Sequence, residues 1–144
     1  MERIHFLPAD KRVPLINRTA LRSFIEQLFR TEKTKLGMIN YIFCSDEYLL
    51  TINRDFLQHD YYTDIITFGL SAPGQPVEAE VYISVDRVKD NARNLGETIK
   101  SEMLRVIFHG ALHLCGYRDK KKSEITIMRE KEDRYLRLFE KRTR

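Results

Sequence analysis

The sequence predicts an α+β fold: a small mixed sheet of about four strands packed with several helices, with a metal site at the end of one helix, a zincin-like helix-turn. Three observations predict it. The 144 residues are 42% hydrophobic, a size and composition suited to one hydrophobic core. Strand-like and helix-like periodicities mix along the chain without the strict alternation of a parallel α/β sheet. No repeat, low-complexity tract or long linker interrupts them, so 1–144 reads as one domain.

The opening Ile4, His5, Phe6 and Leu7 suit a short strand. Asn17, Arg18 and Thr19 offer caps for a helix carrying Leu21, Phe24, Ile25, Leu28 and Phe29 at helical spacing. Residues 37–43 alternate as a strand, and Ser45 and Asp46 lead into a helix with Leu49, Leu50, Ile52 and Phe56. Residues 63–68 are β-branched and aromatic, as strands prefer. Two prolines and two glycines make 69–76 a loop, and 80–85 alternate as the next strand. Helices then follow from near Asp86, over 98–115 and over 123–140; the second should lie across the sheet. In the last, Ile125, Met128, Leu136 and Phe139 fall near one face.

No apolar run is long enough to cross a bilayer, and the N-terminus lacks the apolar core of a signal peptide, so a cytoplasmic protein is expected. The two cysteines, Cys44 and Cys115, are not a CxxC pair and read as buried hydrophobes. Net charge is +4, and from Arg118 onward the chain carries eleven Lys or Arg against six Asp or Glu. That excess suits a polyanionic partner, although a solvated basic face has the same composition.

The chemistry concentrates in 108–119. His109 and His113 are four residues apart, so a helix aims both imidazoles at one point. Gly116 can end that helix in a left-handed conformation and return Asp119 towards the histidines. Two imidazole nitrogens and one carboxylate oxygen are a catalytic zinc set with one position open, which predicts one Zn2+ per chain. His5 and His59 have no partner at ligand spacing and read as bystanders. Zinc proteases of the HExxH type carry their general-base glutamate directly after the first histidine, where this chain has Gly110. Glu102 does not replace it, being about 10 Å back along the axis.

Residues 109–117, HGALHLCGY, resemble the signature HGxLHLxGYDH of the YbeY family. Thr63 to Phe68 resembles that family's TDVLSF strand, Ile52-Asn53 its LN, and Asp60 the aspartate shortly before that strand. Met128, Glu132 and Leu136 resemble its MxxxExxxL helix. The resemblance implies a single-strand-specific, metal-dependent endoribonuclease acting in ribosomal RNA maturation and ribosome quality control, with ribosomal RNA and the small ribosomal subunit as partners. It implies His109, His113 and Asp119 as metal ligands, with His113 also catalytic.

Three positions depart from the family pattern. Asp119 replaces its third histidine, with Arg118 where the family has aspartate; Ala79-Glu80-Val81 replaces its GDI. Leu57 replaces an arginine tied to nuclease activity, so phosphate contact falls to Arg54 as a second catalytic candidate, or to Lys120, Lys121 and Lys122 as RNA-binding residues. The alternatives are a zincin-like hydrolase of another substrate class, which lacks its glutamate here, and a non-catalytic ribosome-associated RNA-binding protein, which Leu57 favours.

Overall fold

The computed structural model describes residues 2–143. Its elements run β1 (Ile4–Pro8), α1 (Arg18–Thr31), β2 (Leu36–Cys44), α2 (Asp46–Leu57), β3 (Ile65–Gly69), β4 (Val77–Ser84), α3 (Val85–Leu95), α4 (Ile99–Leu114) and α5 (Lys122–Arg142). The four strands form one mixed sheet in the order β1-β2-β4-β3. β1, β2 and β4 are parallel, and β3 runs antiparallel to β4.

Side chains alternate between the sheet faces, which gives the sheet two apolar sides. Ile39, Tyr41 and Phe43 of β2 and Ala79, Val81 and Ile83 of β4 join the main core with α1, α4 and α5. Cys44, Ile66 and Leu49 form a smaller cluster with Phe68 and Tyr82, where α2 covers the sheet. α4 lies against β3 and β4 and touches α1, α3 and α5, so it is buried on several sides. Its position in the middle of the main core holds the end of α4 rigidly beside the end of the sheet.

The predicted elements are all present, with local differences. Asn17 does not cap α1 with its side chain; its backbone is left-handed, with φ 56°, and its carbonyl accepts from Leu21 N–H. The strand predicted over 63–68 runs from Ile65 to Gly69, and a further cross-strand bond, from Ser84 N–H to the Asp64 carbonyl, lies just ahead of it. In α5, Met128, Leu136 and Phe139 are buried as predicted, but Ile125 is 50% exposed. It faces a cavity beside α4 instead of packed core. Among the described residues, no helix is long and apolar enough to cross a membrane.

Candidate metal centre

Thr98 starts α4 by accepting a hydrogen bond from Ser101 N–H on its hydroxyl. The helix ends at Gly116, whose φ of 104° is the left-handed stop that the sequence predicts. Between them, His109 and His113 stand one turn apart with ring centroids separated by 4.5 Å. Beyond the stop, Asp119 swings back so that its Oδ2 lies 3.2 Å from His109 Nε2 and 3.3 Å from His113 Nε2. One ligand atom from each of the three residues lies within 4.8 Å of the others.

Both rings are held from behind. His109 Nδ1 donates to Glu132 Oε2 at 2.6 Å, and His113 Nδ1 donates to the Tyr117 carbonyl at 2.8 Å. With both Nδ1 atoms so engaged, each ring presents Nε2 as its free lone pair, directed at the same carboxylate. The donor chemistry of this group fits a divalent ion of the zinc type. Burial acts to lower the basicity of His109, but the hydrogen bond and charge of Glu132, aided by Asp119 and Asp64, outweigh it and leave its pKa raised. Burial pushes Glu132 in the opposite sense to His109 and Arg105, which prevail and keep it ionised below the usual carboxylate range. Arg105 completes the anchor, donating to Glu132 at 2.9 Å and to Asp133 at 2.7 Å.

A second support comes from the residue that follows α1. Glu32 accepts from the hydroxyls of Tyr117 and Tyr135 and from Lys131, and so fixes the residue whose carbonyl orients His113. The sequence holds no signal for Glu32. Glu132 is visible in it only as part of a family helix, without its role.

Gly110 has a packing reason. A Cβ there would lie 2.9 Å from Ile65 Cδ1 and 3.3 Å from Val81 Cγ1, so this side of α4 is pressed onto the sheet. The position that carries a base in zinc proteases therefore faces the core.

The triad opens on a cleft of about 1170 Å3. Lys120 lines it, while Lys121 and Lys122 do not; Lys121 N–H instead donates to Glu124 at the start of α5. Lys33 and Lys35, from the turn after α1, line the cleft too, and nothing in their sequence context marks them for it. Leu57 lies on the cleft wall, whereas Arg54 is absent from that lining and donates to Asp60 at 2.5 Å. His59 lines the cleft with its ring stacked on Tyr61; His5 bonds Asn40, remote from the site in β1 and β2. Asn53 is buried and donates to the Tyr61 carbonyl, which ties down the loop after α2. Cys44 is buried, and Cys115 packs against the core with its thiol pushed up to about 12 by burial.

Residues 9–140 match the protein family described as Endoribonuclease YbeY. An Endoribonuclease YbeY of Cytophaga hutchinsonii is 50% identical over 137 residues, covering 95% of this chain and 96% of its own length. One of Parabacteroides distasonis is 43% identical and covers 94% and 95%. A solution structure of a Thermotoga maritima protein superposes with a TM-score of 0.62 at 29% identity, covering 94% of this chain and 88% of that one.

Proposed function

Since this chain belongs to the YbeY endoribonuclease family, whose members are metal-dependent hydrolases, we propose that it cleaves single-stranded RNA in the maturation and quality control of ribosomal RNA. The reading assigns one zinc ion to His109 Nε2, His113 Nε2 and Asp119, and it is carried by the convergence of those three groups on one point at the wall of a wide cleft. Zinc bound there supplies Lewis-acid polarisation of the scissile phosphate.

The chain's own residues do the rest. Glu132 and the Tyr117 carbonyl hold the imidazoles in the Nε2-presenting tautomer, so no reorganisation is needed when substrate arrives. Lys33, Lys35 and Lys120 ring the cleft and neutralise phosphates on either side of the bond to be cut, without reading sequence. The ion pair of Arg54 with Asp60 leaves this lysine set as the better-placed source of positive charge. Tyr61 and His59 offer aromatic faces on which unpaired bases stack, which favours a single strand. In this reading the RNA is presented on the small ribosomal subunit in the cytoplasm.

Cleavage of a single-stranded fragment of ribosomal RNA by zinc-loaded and chelator-stripped protein, prepared identically, tests the reading. Cleavage only by the loaded protein is expected. Equal cleavage by both would remove the triad from the chemistry, and no cleavage by either would leave an RNA-binding protein.

A further inference from the structure

A second groove, of about 410 Å3, adjoins the metal cleft at the turn that joins α1 to β2. Lys33, Thr34 and Lys35 line both, so this turn is the boundary that the two surfaces share. Beyond it the groove is lined by Arg3 and Arg30, with Glu26 as its one acid.

Elsewhere the chain pairs many of its cations: Arg54 with Asp60, Arg87 with Asp46, Arg105 with Glu132 and Lys131 with Glu32. Arg3, Arg30, Lys33 and Lys35 are exposed and have no carboxylate partner among the described residues. Arg3 donates through one nitrogen to the Leu36 carbonyl, which anchors it to the start of β2. The apolar residues of the groove are closed to a ligand: Phe29 and Leu36 are only 1% and 8% exposed, so a base finds no face to stack on. What the groove offers is positive charge, and that suits phosphate.

The turn itself carries an independent observation. Lys33 has a φ of 56°, and the N–H groups of Lys33 and Thr34 close α1 on the carbonyls of Arg30 and Phe29. This is the left-handed helix stop that glycine fills without a Cβ clash, as Gly96 does after α3 and Gly116 after α4. Lysine in that conformation costs stability that glycine would keep. A residue held against its local preference marks a place where another requirement prevails, and here it sets a cation on the boundary between cleft and groove.

We infer that this groove carries one flank of the RNA strand: beyond the triad, the phosphate backbone passes Lys33 and Lys35 and continues between Arg30 and Arg3. Cations on both sides of the turn hold successive phosphates without reading bases, so the groove lengthens the site and adds no sequence preference. The enzyme then grips its substrate well away from the bond it cuts, and a strand too short to cross the turn forgoes that grip. The inference rests on the endoribonuclease reading above, since the strand reaches the groove by way of the metal cleft.

The test is binding, read by fluorescence anisotropy of 2′-O-methyl uridine strands on zinc-loaded protein. A dodecamer should bind more tightly than a hexamer, with a salt slope steeper by about 0.7 for each further phosphate neutralised. Arg30→Gln should weaken the dodecamer about two- to fivefold, the size of one exposed ion pair, and leave the hexamer unchanged. Arg30 is exposed and makes no side-chain hydrogen bond among the described residues, so its replacement leaves the fold intact. Lys33→Gly should weaken both lengths, because Lys33 lines cleft and groove alike, while raising the urea midpoint of unfolding. Equal loss for the two lengths in Arg30→Gln, no loss for either, or full affinity in Lys33→Gly would each overturn the path. RNA cleavage without this length dependence would sink the path alone; the length dependence without cleavage would sink the nuclease reading alone.

Discussion

Glu32, the residue that follows α1, accepts a hydrogen bond of 2.6 Å from the hydroxyl of Tyr117, 85 residues later in the chain. Through the Tyr117 carbonyl this contact continues to His113 Nδ1, so a carboxylate outside the triad sets the aim of one of its rings. Burial works to raise the pKa of Glu32, but the hydrogen bonds from Tyr117, Tyr135 and Lys131 outweigh it and hold it below its ordinary 4.5.

A carboxylate with a depressed folded-state pKa contributes stability that is fully present above its unfolded value and lost as pH falls through the folded one. Acid unfolding should therefore steepen below about pH 4.5 in part through Glu32. Glu32→Gln should cost about 1.5–3 kcal/mol at neutral pH and flatten the acid limb. Urea unfolding followed from pH 7 to pH 3 measures both, and parallel curves for the two proteins would show that this network carries no pH dependence.

Zinc retention should fall sharply in Asp119→Ala and about 10–100-fold in Glu132→Gln, which leaves His109 without the carboxylate behind it. Cys115→Ser should retain zinc nearly unchanged, because that side chain packs against the core and is not in the ligand group. Competition with a chromogenic chelator ranks the three. Similar losses in Asp119→Ala and Cys115→Ser would mean that the third ligand is misassigned.

Replacing Lys33, Lys35 and Lys120 by Gln should weaken RNA binding across sequences and reduce the slope of log affinity against log salt by about 0.7 for each phosphate no longer neutralised. Lys121→Gln with Lys122→Gln should change that slope less, as neither lysine lines the cleft. A larger effect from the second pair would place the strand along α5 instead.

His113→Ala should abolish RNA cleavage. Leu57→Arg should accelerate it, since position 57 lies on the cleft wall and a guanidinium there grips phosphate in a way leucine cannot. Single-turnover rates on one labelled strand compare the variants. A slower Leu57→Arg enzyme would show that the cleft already has the charge it needs.

The element pattern and the triad are legible in the sequence because each rests on local spacing. The four-residue step from His109 to His113 and the glycine stop at Gly116 are properties of one helix end, readable without the rest of the chain. What supports them is not legible, because those contacts are long-range. Glu32 meets Tyr117 and Tyr135 only once α1 and α5 are packed, and Lys33 and Lys35 reach the cleft only because β2 carries the preceding turn to its edge. The basic run after Asp119 reads as one surface in sequence, yet it divides where α5 begins, with Lys120 on the cleft and Lys121 at the helix cap. Ile125 misleads for a related reason: helical periodicity marks a face but cannot say whether a cavity or a neighbour lies opposite.

The tight seat of Gly110 against Ile65 and Val81 has a consequence for how this scaffold can change its chemistry. Writing glutamate into that position, the one-residue edit that would complete a protease motif, drives a carboxylate into β3 and β4 instead of towards the ligands. Conversion would demand that α4 roll about its own axis, and a roll would carry His109 and His113 away from Glu132 and Tyr117 at the same moment. The two reaction classes are thus separated by a rigid-body movement and not by a point mutation. Laboratory selection for peptide hydrolysis from this fold should find routes that leave residue 110 a glycine.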